Sequence, residues 1–284
     1  MTQSNHPGLQ WIDEVHEEHA RFGLRGRVLF DQQSPFQRVT IVQTEAMGRG
    51  LLLDGLWMCT EADEVCYHEM LVHPAMTCAP KIGHVVIIGG GDGGTAREVL
   101  RYPQVERVTM IEIDALVTQA CQEHIPEMGA WQDPRLTLHH IDGVEWIESA
   151  EPGSVDVLLV DGVDPVGPGE VLYSEAFYRA CARALGPKGV FVAQSESPRV
   201  QQQTHLNVVR RLEQVFAHVH PYYRFVPVYP GAAWSWTFAS AEVSPSQVDP
   251  QRLAHVEPQL EIYNEAIHAG AFALPNYIKR ALGR

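Results

Sequence analysis

The chain has 284 residues, 45% of them hydrophobic and 20% charged, and a formal net charge of −14 at pH 7. That length supports a full hydrophobic core, in one large domain or two smaller ones. The acidic balance argues against nucleic acid and anionic membranes as partners and suits a cationic substrate.

Residues 1–62 read as a small antiparallel β domain. Its strand candidates are Arg27–Phe30, Gln37–Gln43, Gly50–Leu53 and Leu56–Thr60, punctuated by Ser34-Pro35, Met47-Gly48 and Asp54-Gly55. An Asp-Gly pair between apolar runs is a strong hairpin signal. So small a sheet often depends on a partner chain, and a homodimer or homotetramer is expected.

Residues 63–284 read as a second, α/β domain. Asp63–Ala79 predicts a helix with Asp63 near its start. His68-Glu69 and His73 stand as H-E-x-x-x-H, one residue longer than the spacing that puts two imidazoles on one helix face, so no metal site is predicted.

The stretch Val85–Glu98, VVIIGGGDGGTARE, organises the rest. Val85–Ile88 reads as a buried parallel strand, Gly89–Gly94 as a glycine loop and Thr95–Leu100 as a helix, which is the opening unit of a nucleotide-binding fold. The next strand, Val108–Ile111, ends at Glu112, about 20 residues beyond the loop, where a carboxylate grips a ribose diol. Asp92 in the middle of the loop would repel a pyrophosphate and suits an adenosine ligand that carries a cation. S-adenosylmethionine and its decarboxylated form both fit; the plain alternative is that Asp92 caps the helix.

β-α units then alternate. Helix Ala115–His124, strand Leu136–Ile141, helix Val144–Ser149, strand Val155–Val160, helix Glu175–Leu185 behind an N-cap Ser174, strand Gly189–Ala193 and helix Gln201–Phe216 follow in order. Two β-runs, Tyr222–Tyr229 and Trp234–Ser240, joined by Pro230-Gly231, close the series. The prediction is a Rossmann-like, methyltransferase-type doubly wound sheet with an antiparallel C-terminal hairpin, preceded by the small N-terminal antiparallel β domain.

Ligands of such sheets bind outside the carboxyl ends of the strands. Asp92, Glu112, Asp142 and Asp161 all fall there, a set suited to hydroxyls, an exocyclic amine and positive charge. Any one of them could be a turn-forming aspartate; four at corresponding positions read as a site. The Pro- and Gly-rich loop after Asp161 adds a second aspartate, Asp164, in a segment able to close over a ligand.

The five cysteines (Cys59, Cys66, Cys78, Cys121, Cys181) include no C-x-x-C pair, so reduced thiols are expected. The opening residues lack the features of a signal peptide, and no stretch approaches the ~18 apolar residues of a membrane span. A soluble, cytoplasmic protein is expected.

From about Gln37 to Leu282 the sequence resembles the polyamine aminopropyltransferase family, in its spermidine synthase branch. The resemblance is carried by TEADEVCYHEM (60–70), IIGGGDGG (87–94), EID (112–114), VDGVDPVGPGE (160–170), AQSES (193–197), VYPGAAWSWTFAS (228–240) and YNEAIHAGAFALP (263–275). A glycine loop alone is shared with methyltransferases; D-x-x-D-P-x-G-P and the FALP stretch are far more specific. The resemblance implies aminopropyl transfer from decarboxylated S-adenosylmethionine, as co-substrate, to putrescine, with no further cofactor.

It also implies roles. Asp161 is the base at the attacking nitrogen. Glu112 holds the ribose hydroxyls, Asp142 with Gly143 the adenine amine, and Gln37 and Asp92 the aminopropyl end, with Gly89, Gly91 and Gly93 lining the donor site. Tyr67, Asp164, Gln194 and Tyr229 line the acceptor channel, framed by His68, with Trp11 as an apolar wall. Trp57-Met58 and Gly162-Val163 depart from the family pattern. Competing readings are another amine acceptor (cadaverine, agmatine or a longer polyamine), a methyltransferase, and a non-catalytic polyamine- or adenosine-binding paralogue. A nicotinamide oxidoreductase is disfavoured by Asp92.

Overall fold

Two sheets divide the chain. The computed structural model describes residues 8–16, 20–163, 167–229 and 231–284; the predicted Asp164, and Pro230 of the predicted Pro-Gly turn, lie outside the described residues. The first sheet is antiparallel and follows sequence order: β1 (Gln10–His16), β2 (Ala20–Gln33), β3 (Arg38–Thr44), β4 (Arg49–Leu53) and β5 (Leu56–Thr60). Asp54 (φ 50°) and Gly55 (φ 84°) turn the β4–β5 hairpin as a pair of left-handed residues. Strand β1 and the first half of β2 go beyond the sequence expectation. Asp13 and Glu14 are poor strand formers, yet Glu14 is buried and its Oε2 accepts from the Trp57 N–H at 2.7 Å.

Helix α1 (Glu64–Cys78) links the sheets and is buried along almost its whole length. It contains Pro74, which has no N–H for the Met70 carbonyl. That carbonyl instead accepts from the Tyr222 hydroxyl at 2.7 Å, so the broken helical bond leaves no orphaned acceptor.

The second sheet contains β6 (His84–Gly89), β7 (Arg107–Ile111), β8 (Leu136–His139), β9 (Val157–Asp161), β10 (Val190–Gln194), β11 (His218–Phe225) and β12 (Ala233–Ser240), in the order β11-β12-β10-β9-β6-β7-β8. β6 to β10 pair in parallel, and β12 and β11 form the antiparallel edge. β11 begins earlier than predicted, and Val226–Tyr229 turns back instead of extending it: Val228 N–H is taken by Asp63 Oδ2 at 3.0 Å.

Alternation of side chains puts the two faces of this sheet into separate cores. Val85 and Ile87 of β6, Val157 and Leu159 of β9, and Val190 and Val192 of β10 join α1 on one side. Val86, Ile88, Leu158, Val160, Phe191 and Ala193 join α5 (Glu175–Leu185) and α6 (Gln202–Glu213) on the other. Strands covered on both faces read as unbroken apolar runs, and each side chain buried there contributes about 1.5–3 kcal/mol.

Helices α2 (Gly94–Leu100), α3 (Ala115–His124) and α4 (Gly143–Ser149) complete the β-α units; α7 (Pro250–Val256), α8 (Glu265–Ala271) and α9 (Asn276–Leu282) close the chain. The last three were not predicted; each is only seven residues long. The Glu69 carboxylate of α1 anchors the segment before α8, accepting from the N–H groups of Glu261, Ile262 and Tyr263. Among the described residues, no helix is long and apolar enough to cross a membrane.

Candidate active site

β6 lies between β9 and β7, so the strand order reverses there and a crevice opens at the carboxyl ends. The glycine loop lies across it. A Cβ on Gly89 would sit 2.0 Å from the Asp161 carbonyl oxygen, so glycine is what lets β6 and β9 end together. The Gly90 N–H donates to that same carbonyl at 3.0 Å.

Asp161, the last residue of β9, is gripped on both carboxylate oxygens. The Tyr67 hydroxyl donates to Oδ1 at 2.9 Å and the Thr95 hydroxyl to Oδ2 at 2.6 Å. Burial, reinforced by neighbouring Asp92, raises its pKa above the usual carboxylate range, while His68 and the two hydroxyls pull the other way. Tyr67 stays protonated, because burial and then Asp161 push its pKa well up.

Gly93 is the N-cap of α2 and Asp92 stands one residue before it, its Oδ1 accepting from the Gly94 N–H at 2.8 Å. The same oxygen lies 3.4 Å from His68 Nε2, and Oδ2 lies 3.7 Å from Cys59 Sγ. Burial opposes charge on Asp92, yet His68 and the Gly94 N–H hold its pKa below the usual value. His68 is 1% exposed and meets Glu64 Oε2 through Nδ1 at 2.6 Å. Burial disfavours its cation, but Asp92 and Glu64 on either side raise its pKa well above the ordinary value. Arg97 supports Glu64 from behind at 2.7 Å. Donor atoms of His68, Asp92 and Asp161 all lie within 4.8 Å of one another. His73 turns elsewhere, to Tyr102 and Glu98.

Glu112, just past β7, accepts from the Asp114 N–H at 2.8 Å, and the Gly91 backbone packs beside its carboxylate. Burial dominates, and with Asp114 and Asp161 nearby its pKa rises to about 7. Asp142 is partly exposed and caps α4 through the Val144 N–H at 2.7 Å, with Gly143 packed on Ile88. Ile113 and Ile141, both beside these strand ends, are 42% and 44% exposed. Tyr229 completes the cluster edge-on to Tyr67, ring centroids 5.8 Å apart, with its hydroxyl on the Met58 carbonyl.

Tyr67, His68, Asp92, Asp161 and Tyr229 therefore converge, with Gly89, Gly91 and Glu112 beside them. Other expected residues are placed differently. Gln37 donates to Asp114 Oδ2 at 3.0 Å, at the Glu112 end of the crevice instead of the Asp92 end. Gln194 is 2% exposed and bonded to the Tyr173 hydroxyl, with its Oε1 accepting from the Glu196 N–H. Gly93 backs onto Trp131 and Gly129. Trp11 is 66% exposed, because strand parity turns Ile12 and Glu14 inward and Trp11 with Val15 outward. Thr95, Glu64 and Arg97 were missed by sequence reasoning, although Glu64 and His68 do stand at helical i,i+4 spacing.

Comparison with known proteins gives a consistent picture. Residues 64–249 match the spermine/spermidine synthase domain family and residues 10–61 the spermidine synthase tetramerisation domain family. A polyamine aminopropyltransferase of Prochlorococcus marinus (strain MIT 9313) is 47% identical over 277 residues, 96% of each chain, and one from strain NATL1A is 41% identical over 279 residues, again 96% of each. A spermidine synthase solved in complex with the transition state analogue AdoDATO superposes with a TM-score of 0.93 at 37% identity, covering 96% of this chain and 95% of that one. The spermidine synthase of Thermotoga maritima gives 0.90 at 36% identity, covering 96% and 94%. With both of its sheets matched and its acidic crevice in place, this chain belongs to the spermine/spermidine synthase family and is a polyamine aminopropyltransferase.

Proposed function

We propose that the enzyme transfers the aminopropyl group of decarboxylated S-adenosylmethionine to putrescine, releasing spermidine and methylthioadenosine. The observation that carries this reading is the Asp161 carboxylate, held by Tyr67 and Thr95 a few ångströms from Asp92 and His68. Both substrates are cations, and the crevice that would receive them is lined by carboxylates.

In this reading Glu112 accepts from the ribose hydroxyls, Asp142 and Gly143 meet the adenine, and Asp92 faces the aminopropyl ammonium. The attacking amine, with an ordinary pKa near ~10, gives a proton to Asp161. Its lone pair then forms a bond to the methylene on sulfur. The C–S bond breaks, its electron pair stays on sulfur, and the sulfonium leaves as a neutral thioether. Alignment of nucleophile, carbon and sulfur supplies much of the acceleration. Asp164 is assigned the far ammonium of the acceptor.

We further propose a division at residues 62 and 63 into an oligomerisation domain and a catalytic domain, a homodimer or homotetramer as the working form, and a cytoplasmic location. Purified protein offered the decarboxylated donor with putrescine, cadaverine, agmatine and spermidine tests the acceptor. Product masses and kcat/KM should rank putrescine first; a higher value for agmatine or spermidine would overturn the acceptor while leaving aminopropyl transfer intact.

A further inference from the structure

We propose that Thr95 is a positioning residue for the proton transfer: its hydroxyl fixes one oxygen of Asp161 so that the other is presented to the attacking amine. The proposal rests on the reading of Asp161 as the base.

Asp161 Oδ2 is enclosed on two sides. Thr95 Oγ1 donates to it at 2.6 Å, and a Cβ built on Gly90 would lie 3.2 Å from it, so the loop backbone walls it off. Oδ1 carries only the Tyr67 hydroxyl at 2.9 Å among the described residues, and that oxygen is the one left for a substrate N–H. A carboxylate rotates about its terminal bond unless something holds it, since such sp³–sp² torsions are broad. Thr95 is fully buried in the first turn of α2 and supplies that hold from the side away from the amine.

Among the described residues, Asp161 is the one hydrogen-bond partner of this hydroxyl. Asp92 takes the Gly94 N–H at the start of α2, and the Thr95 hydroxyl points across to β9. A hydrogen bond donated to the charged carboxylate also keeps it ionised, which the base requires before it accepts a proton. Five other groups act on Asp161 or are sensed with it: Tyr67 and His68 from α1, Asp92 from the loop, Glu112 from the end of β7 and Tyr229 before β12. None of these is altered by a substitution at position 95.

The test compares Thr95→Val, which keeps the shape and removes the hydroxyl, with Thr95→Ser, which restores it. Asp161→Asn is measured alongside. Rates with the decarboxylated donor and putrescine are followed over roughly pH 6 to 9, and methylthioadenosine affinity is measured by calorimetry. Thr95→Val should lower kcat at neutral pH about 10-fold or more, with the acidic limb of the profile moved up by about one pH unit, because the carboxylate loses a donor. Methylthioadenosine affinity should be unchanged, and Thr95→Ser should recover most of the rate. An unmoved limb in the valine variant, equal loss in valine and serine variants, or loss of methylthioadenosine binding would each overturn the positioning role. Near-normal turnover by Asp161→Asn would instead overturn the base assignment beneath it.

Discussion

His68 stands between two carboxylates, with Nδ1 2.6 Å from Glu64 Oε2 and Nε2 3.4 Å from Asp92 Oδ1. This joins α1 to the glycine loop through one buried imidazole. Its consequence for stability has a definite sign. His68 has a folded pKa raised above its unfolded value near ~6.5, so its contribution is complete below that pH and is lost as pH rises through the raised value. Asp92 has a lowered folded pKa, so its contribution is present above its unfolded value near ~3.9 and is lost as pH falls through the lowered one. His68→Gln should therefore cost about 3 kcal/mol near pH 6, the scale for stripping a buried pair of one partner, and less on the alkaline side. Urea unfolding of both proteins at equal concentration, at acid and alkaline pH, measures this. The same loss at both would mean that His68 is held neutral.

With Glu112 assigned to the donor ribose, donor binding should depend on pH. Its pKa of about 7 means that near neutrality the empty site is partly protonated, and a protonated carboxyl is a poorer acceptor for a ribose diol. Methylthioadenosine should bind more weakly as pH falls below 7, approaching tenfold per unit, and should release a fraction of a proton on binding near neutrality. Calorimetry in two buffers of different ionisation heat reads that proton directly. Glu112→Gln should bind more weakly at pH 8 and lose the dependence; a wild-type affinity that is flat across this range refutes the role.

Asp92 should set the choice of donor. An amino-acid carboxylate placed beside it would put two buried negative charges together, a cost of several kcal/mol only partly relieved by His68. The decarboxylated donor should bind at least ~10-fold more tightly than S-adenosylmethionine, and Asp92→Asn should narrow the ratio. Equal affinities in the wild-type protein would remove the argument for selection by charge.

How much of this was legible in the sequence follows from the range of each interaction. Val85–Ile88 and Val157–Val160 announce themselves because burial on both faces demands unbroken apolar runs. Strand ends then place Glu112 and Asp161 without any further information. Thr95 was not legible, since its partner is 66 positions away and a threonine after glycines looks like any helix start. Gln37 reaches Asp114 across 77 positions, and only the packing of the first sheet on α3 makes that contact. The exposure of Trp11 was illegible for another reason. Which face it takes depends on the register of β1 on β2, and a one-residue shift reverses every side chain.

Gly94 offers a test of how tightly the site is assembled. A Cβ there would sit 2.3 Å from His68 Cε1 and 2.4 Å from Nδ1. The ring has nowhere to retreat: Glu64 and Asp92 hold its two nitrogens, and Tyr67 meets it edge-on at 5.4 Å. Gly94→Ala must then displace the ring or the first turn of α2, which carries both the N–H taken by Asp92 and the Thr95 hydroxyl on Asp161. Overpacking of this kind costs about 1–3 kcal/mol, and turnover should fall more steeply than stability because three functional contacts move together. Gly270→Ala in α8 is the matched control. Nothing lies within 4 Å of its added Cβ, so the change should be neutral or stabilising by about 0.4–1 kcal/mol. Denaturation midpoints and kcat for the two variants decide the matter. If Gly94→Ala behaves like Gly270→Ala in both, the loop has slack, and the packing of His68 against the start of α2 does not position the catalytic groups.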